Sequence, residues 1–260
     1  MTTPPLLETC GLHLSIGDKL ICHDLNLCVR QGERWGVLGV NGVGKTTLLL
    51  ALAGLKTPQS GKVYLNGTSL NKLPKRQAAQ LSGVMFQDSD DTFPASVLET
   101  ALIGRHPYLQ RWEWESVEDE AIARAALQAV GIADLAQRRS NTLSGGERRR
   151  LALATLLTQD PALMLLDEPV NHLDLRHQMD TLALLTRQAA QHRKALVMVL
   201  HDVNLAARYC DALLLLFGHG EVLQGSVGEV LNEESLSRLY GHPVRRVETA
   251  EGALFYPGKV

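Results

Sequence analysis

The stretch Gly39-Val-Asn-Gly-Val-Gly-Lys45-Thr-Thr47 constrains this chain more than any other. It has the spacing of a phosphate-binding loop: glycine, four residues, then Gly-Lys-Thr. The apolar run Trp35-Gly-Val-Leu38 before it reads as a buried strand, and Leu48–Leu55 after it as a buried helix. Only a chain without Cβ atoms wraps tightly enough to turn successive N–H groups inward. The helix start behind the turn adds roughly half a positive charge, so backbone alone can hold an anionic phosphate. Lys45 is placed to reach the β- and γ-phosphates and the Thr46 hydroxyl to ligate Mg²⁺. Alone, the motif says that a nucleotide is bound.

With 260 residues, 45% of them hydrophobic and 21% charged, the chain is an ordinary globular sequence. It can bury about three quarters of the surface it exposes when unfolded. A net charge of −2 gives no basic field for nucleic acid or acidic lipid. Cys10, Cys22, Cys28 and Cys210 form no C-x-x-C pair, and the histidines show no metal spacing, so reduced core thiols of a cytosolic protein and no zinc are expected. The start Met1-Thr-Thr-Pro-Pro lacks the basic and apolar segments of a leader. The longest apolar runs, such as Ala212–Phe217, fall far short of the roughly 18 residues of a membrane helix.

Residues 7–35 alternate polar and apolar, as half-buried antiparallel strands do, with Gly17-Asp18 as a turn. Pro58–Leu65 and Asn66-Gly67 predict more turns and a strand. From 88 to 142 the pattern is helical: Ser116-Val-Glu-Asp119 is a capping box, and Ala121, Ile122, Ala125, Leu127 and Val130 follow at helical spacing up to Gly131. Ala162–Leu166 and Ala195–Leu200 read as central strands of a parallel sheet, joined by a helix over about 175–192. Ala212–Phe217 is a third such run. Ser226-Val-Gly-Glu229 caps a short helix, another runs over Glu233–Tyr240, and Val244–Val247 with Ala253–Tyr256 suggest a hairpin.

Asp167 and Glu168 end a buried strand, where two acids either complete a Mg²⁺ shell or merely cap a helix. Leu143-Ser-Gly-Gly-Glu147 opens a helix with the capping-box pair Ser144 and Glu147. Its two glycines each weaken a helix by up to about 1 kcal/mol, which makes sense if an anion approaches the backbone there. Arg148-Arg-Arg150 behind them reads as a solvated face or an interface rather than a nucleic-acid patch.

Together, the phosphate loop, Gln87 after Ser82–Phe86, L-S-G-G-E, Asp167-Glu168, Asn171-His-Leu-Asp174 and His201 resemble, in order, the nucleotide-binding subunit of an ABC transporter. The resemblance covers about residues 6–240. It implies a P-loop NTPase: a RecA-like parallel core with an antiparallel β subdomain (1–87 and 143–225), a helical subdomain (88–142) and C-terminal helices with a hairpin (226–260). It implies ATP and Mg²⁺ as cofactors. Gly39, Asn41, Gly42, Gly44, Lys45, Thr46 and Thr47 would bind the phosphates, and Thr46, Gln87 and Asp167 the metal. Glu168 is expected as general base, Gln87 in the water shell, and His201 as a switch at the γ-phosphate. Ser144, Gly145, Gly146 and Glu147 would face the nucleotide of a second copy, with Asp174 at the seam of the homodimer. This division makes ATP the adhesive of the pair.

Two positions depart from the family pattern. Ile16 stands where an aromatic usually stacks on adenine, predicting weak discrimination of ATP from GTP, and Val170 replaces a Ser or Thr. Val97–Tyr108, Leu173–Gln178 and Leu239–Val244 are similar to segments of metal-chelate importer ATPases, for cobalamin, iron–siderophores or haem. Arg111-Trp-Glu-Trp114 tilts the resemblance toward corrinoids, although the plain expectation for Trp112 and Trp114 is packing inside the helical lobe. The expected partners are a second copy, a membrane-spanning permease dimer whose cytoplasmic loop would meet the surface from Gln87 to Trp114, and indirectly a periplasmic binding protein. Nucleic acid is not among them. The expected location is the cytoplasmic side of the inner membrane, as a peripheral subunit. The rival from another class is a soluble single-cassette ATPase of cofactor assembly or repair.

Overall fold

The computed structural model describes residues 4–86, 95–250 and 252–259. It divides into two compact units, Met1–Lys72 with Ala195–Val260, and Leu73–Lys194.

The first unit carries an antiparallel sheet and a mostly parallel one. In the antiparallel sheet, Leu7–Ile16 lies between Lys19–Leu25 and Ser60–Leu65, with Thr68–Ser69 beyond and Cys28–Val29 paired to its start. The register Leu14↔Cys22 and Ile16↔Lys19 closes around Gly17-Asp18, and Leu7, Leu12, Leu14, Ile21, Cys22 and Leu25 point into the core. The expected alternation holds along Leu7–Ile16, with Thr9 rather than Cys10 turned inward, but not along Lys19–Leu25, where the adjacent Ile21 and Cys22 are both buried. Thr9 is the polar exception on that face. Its hydroxyl donates to the Leu25 carbonyl and accepts from the Leu27 N–H, both at 2.8 Å, which offsets its burial. Gly61, at φ 86, allows two strands to touch, since a Cβ there would come 2.3 Å from the Gly11 carbonyl oxygen.

In the second sheet of this unit, Arg34–Gly39 runs parallel to Ala195–Val199 on one side and Ala212–Gly218 on the other, and Glu221–Ser226 pairs antiparallel at the edge. The near-continuous apolar runs are central strands, as expected of strands covered on both faces. At the foot of the sheet Arg34 grips Asp211 through Nη2 (2.6 Å) and Nε (3.0 Å). Burial alone would raise the Asp211 carboxyl, but the hydrogen bonds from Arg34 outweigh it and hold the acid below the usual carboxylate range. Trp35 is core, with Nε1 donating to Glu33 at 3.0 Å. Cys22 and Cys210 are the core thiols expected, pushed up to about 11 and about 12 by desolvation, whereas Cys28 is half-buried and Cys10 exposed.

The C-terminal part of this unit follows the sequence reading closely: helices Val227–Val230 and Glu233–Tyr240, then a hairpin Val244–Thr249/Gly252–Pro257. Asn204, on the Val203–Tyr209 helix, clasps the hairpin reciprocally. Its Nδ2 donates to the Phe255 carbonyl (3.1 Å) and its Oδ1 accepts from the Phe255 N–H (2.8 Å).

The second unit combines a buried parallel pair, Ser82–Met85 and Leu163–Asp167, with helices Lys75–Leu81, Val97–Leu102, Val117–Ala129, Gly145–Gln159 and Leu175–His192. The Val117–Ala129 helix starts at the predicted box: Ser116 Oγ accepts from the Asp119 N–H, and Asp119 answers to the Ser116 N–H. It ends before Gly131 at φ 71. The buried face is turned by about one position from the expected one. Asp119, Ala123, Ala126, Leu127 and Val130 face inward, while Ala121, Ile122 and Ala125 are exposed. Asp119 sets this rotation, because it is both cap and partner of Arg105 Nε at 2.7 Å.

Trp112 and Trp114 do not pack into the helical lobe. They are 89% and 86% exposed, on a turn in which Trp112 has φ 69. Arg76 braces the turn before it, donating to the carbonyls of Pro107 (2.8 Å) and Tyr108 (2.7 Å), and reaches Gln110 Oε1 at 3.2 Å. Among the described residues no helix is long and apolar enough to cross a membrane.

Candidate nucleotide site

The sequence-predicted residues fall in both units. In the first, the Arg34–Gly39 strand delivers the glycine loop to the start of the Lys45–Leu52 helix. Gly42 and Gly44 adopt φ 72 and 114, conformations that L side chains avoid. No side chain caps this helix and no acid lies in its first turn, so its N–H groups and dipole face the loop unneutralised. Lys45 is 6% exposed and folds back over the loop, with Nζ donating to the carbonyls of Gly39 (2.8 Å) and Val40 (3.2 Å). An ammonium held on carbonyls at the loop's centre is placed for a phosphate to displace or share it. Asn41 and Thr46 are exposed, and Thr47 is buried.

Lys19 was not singled out by the sequence, yet its Nζ donates to the Gly42 carbonyl at 2.6 Å and braces the loop from the neighbouring strand. A lone lysine after a turn carries no pattern that could have revealed this. Ile16, at the end of its strand, is 48% exposed. In the same unit His201 is exposed and follows the Ala195–Val199 strand, beside Asp202, which caps the next helix by accepting from Asn204 N–H at 2.7 Å.

The second unit holds the acids and the L-S-G-G-E helix. Asp167 closes a fully buried strand and is 1% exposed. Glu168 follows at φ 51, in the left-handed region that a residue with a Cβ occupies at a cost. Asn171 Nδ2 donates to Glu168 Oε2 at 2.8 Å and fixes the carboxylate. Val170 is 8% exposed, so the departure from Ser or Thr is a packed apolar side chain.

The capping reading of Ser144 holds. Its Oγ accepts from Glu147 N–H (3.3 Å) and Glu147 Oε2 accepts from Ser144 N–H (2.7 Å). That main-chain bond, then the Ser144 hydroxyl, keeps the Glu147 carboxyl below its usual range. Gly145 and Gly146 have no positive φ, and a Cβ would meet nothing within 4 Å at the first and nothing nearer than 3.5 Å at the second. The chain's own packing gives no reason for glycine at either position. Asp174 caps the Leu175–His192 helix through His177 N–H (2.9 Å), which lowers its carboxyl, and its oxygens also lie 2.8 and 2.9 Å from His177 Nδ1.

The expectation of a solvated face or an interface for the Arg148–Arg150 run fails for its middle residue. Arg148 is exposed, Arg150 half-buried, and Arg149 is 7% exposed, its guanidinium donating to the carbonyls of Phe86, Asp167 and Glu168. Gln87 lies outside the described residues. For Mg²⁺ the fit is one of kind: the donors that the chain offers are oxygens, a hydroxyl on Thr46 and the buried carboxylate of Asp167. A hard cation that keeps waters and phosphates asks for no more than one or two carboxylates.

The ABC transporter family pattern matches residues 22–171, more than half of the chain, and the chain belongs to that family. It is 38% identical over 230 residues to the petrobactin import ATP-binding protein FpuD of Bacillus anthracis, covering 88% of this chain and 84% of that protein. It is 40% identical over 243 residues to the hemin import ATP-binding protein HmuV of Gloeobacter violaceus, covering 91% and 87%. A solved metal-chelate type ABC transporter in an inward-facing conformation matches with a TM-score of 0.85 at 28% identity, covering 98% of each chain. The fold is that of the P-loop ATPases of this family, and the chain is an ATPase that drives transport.

Proposed function

We propose that this chain powers a metal-chelate importer, acting as an ATP-sandwich homodimer beneath a pair of membrane-spanning subunits. The names of the relatives favour an iron–siderophore or haem as cargo, and the corrinoid alternative rests on the Trp112–Trp114 resemblance alone. A periplasmic binding protein would deliver the cargo, and the subunit would sit on the cytoplasmic face of the inner membrane.

In this reading the glycine loop and Lys45 hold the β- and γ-phosphates. Bound Mg²⁺, held by Thr46, Gln87 and Asp167, supplies charge neutralisation at the transferred phosphoryl group. Glu168 takes the proton of the attacking water, and His201 senses the γ-phosphate. Ser144, Gly145, Gly146 and Glu147 present a helix start to the nucleotide of the other copy, with Asp174 at the seam. The division into a nucleotide-binding core (1–87, 143–225), a helical subdomain (88–142) and a C-terminal segment (226–260) is part of the same proposal.

The observation that supports the sandwich is the pair Gly145-Gly146: two helix-weakening residues that nothing inside the chain requires. Their reason is then sought outside the chain, in an anion brought close to the helix start. The test is Glu168→Gln. General-base loss should lower turnover by about 10²–10⁴-fold while ATP drives a dimer visible by sedimentation. Wild-type hydrolysis removes Glu168 as the base, and a strictly monomeric ATP-bound variant removes the sandwich. Co-purification with a membrane-spanning subunit tests the transport partner.

A further inference from the structure

Arg149 belongs to the L-S-G-G-E helix, yet its guanidinium reaches the exits of two strands. Nη1 donates to the Phe86 carbonyl at 2.6 Å, directly before the segment that begins with Gln87. Nη2 donates to the carbonyls of Asp167 and Glu168. An arginine fork presents several donors in one rigid plane, so it fixes the carbonyls it binds relative to one another. Here it fixes the peptide planes on both sides of the Glu168 Cα. That residue holds φ 51, a conformation that persists only when its surroundings determine it. Asn171 orients the far end of the same side chain through Oε2. Glu168 is thus held at both ends, and the hold on its backbone comes from the helix that starts at Ser144.

We propose that Arg149 is the positioning residue of the hydrolytic reaction: it keeps Glu168 in its left-handed conformation and ties that carboxylate to the Ser144 helix and to the strand leading to Gln87. Movement of the helix start on nucleotide engagement is thereby passed to the base by one side chain. The proposal rests on the reading of Glu168 as general base, and the variants below separate the two.

The experiment measures steady-state ATP hydrolysis by the purified full chain for Arg149→Gln, Arg149→Lys, Glu168→Gln and the double variant Arg149→Gln/Glu168→Gln, with thermal melting of each. A glutamine amide can serve one carbonyl and not three. Arg149→Gln should lower kcat at least tenfold with KM for ATP changed less than twofold and ATP-driven dimerisation kept. Arg149→Lys, which retains the charge and much of the volume, should recover part of that loss. In the Glu168→Gln background Arg149→Gln should cost nothing further, because the group it positions is already gone. A full additional tenfold loss in the double variant overturns the proposal, as does wild-type kcat in folded Arg149→Gln. Should Arg149→Gln melt below the assay temperature, Arg149→Lys carries the test: a kcat reduced threefold or more at unchanged KM supports positioning, and wild-type kcat overturns it. Unchanged hydrolysis in Glu168→Gln refutes the base itself, whatever the arginine variants do.

Discussion

The Cβ that Gly44 lacks would fall 2.6 Å from Cγ1 of Ile21, a side chain with no exposed surface. The last glycine before Lys45 is therefore demanded twice, by its φ of 114 and by a core isoleucine from the antiparallel sheet. Gly44→Ala should cost about 2–4 kcal/mol from the left-handed conformation and overpacking combined. It should also weaken ATP binding at least tenfold, since the loop must open to relieve the contact. Thermal melting and titration with a fluorescent ATP analogue check both halves.

Gly145→Ala should behave in the opposite way. With helical φ and open space around the new methyl group, the variant should be more stable by about 0.5–1 kcal/mol. ATP hydrolysis should fall at least tenfold if another copy's nucleotide must reach that backbone. Denaturant melts paired with turnover measure this; a stabilised variant with unimpaired turnover would remove the steric reason offered for the glycine.

Acid should loosen the helical part of the second unit through Asp119. The main-chain hydrogen bond from Ser116, then the Arg105 side chain, hold this carboxyl below its usual value. A depressed folded value contributes stability that is complete above the unfolded value of about 3.9 and lost as pH falls through the folded one. Asp119→Ala should therefore cost about 1–2 kcal/mol at pH 7, mostly as a lost cap, and the gap to wild type should close between about pH 4 and pH 2. Urea melts across that range measure it, and a gap independent of pH would mean that the carboxylate's charge is not involved.

Nucleotide choice should be loose. Ile16 offers an exposed aliphatic surface where stacking on adenine is expected. ATP and GTP should be hydrolysed with kcat/KM values within about threefold of each other. Ile16→Tyr should tighten ATP binding by about 1–3 kcal/mol, the worth of one stacked base. A large ATP preference in the wild type would show that another group reads the base.

Where apolar periodicity met a simple packing environment, approximate bounds read from the sequence held. The Leu175–His192 and Glu233–Tyr240 helices fall on their expected bounds, because a cap and a stop bracket each amphipathic pattern. Periodicity misled where a polar residue decided the outcome. The Val117–Ala129 helix turned about one position because Asp119 is tied to both Ser116 and Arg105, an interaction that no apolar count registers. Three consecutive arginines span most of a helix circumference, so the pattern could not tell that the middle one is buried on carbonyls. Hydrophobicity argued for packing of Trp112 and Trp114, but a turn closed between Gln110 and Glu113 and the extended residues after it leave both rings in solvent. Of the candidate site, the residue types and their order were legible. The left-handed Glu168 and the Lys19 brace were not, because each depends on the fold around it.

The reciprocal bonds between Asn204 and Phe255 make one side-chain amide act as a surrogate strand edge for the terminal hairpin. The helix so engaged, Val203–Tyr209, is capped by Asp202, adjacent to His201. Loss of the hairpin would remove both of these bonds from the first turn of that helix. The hairpin is thus fastened to the helix that follows His201, the residue proposed as the switch.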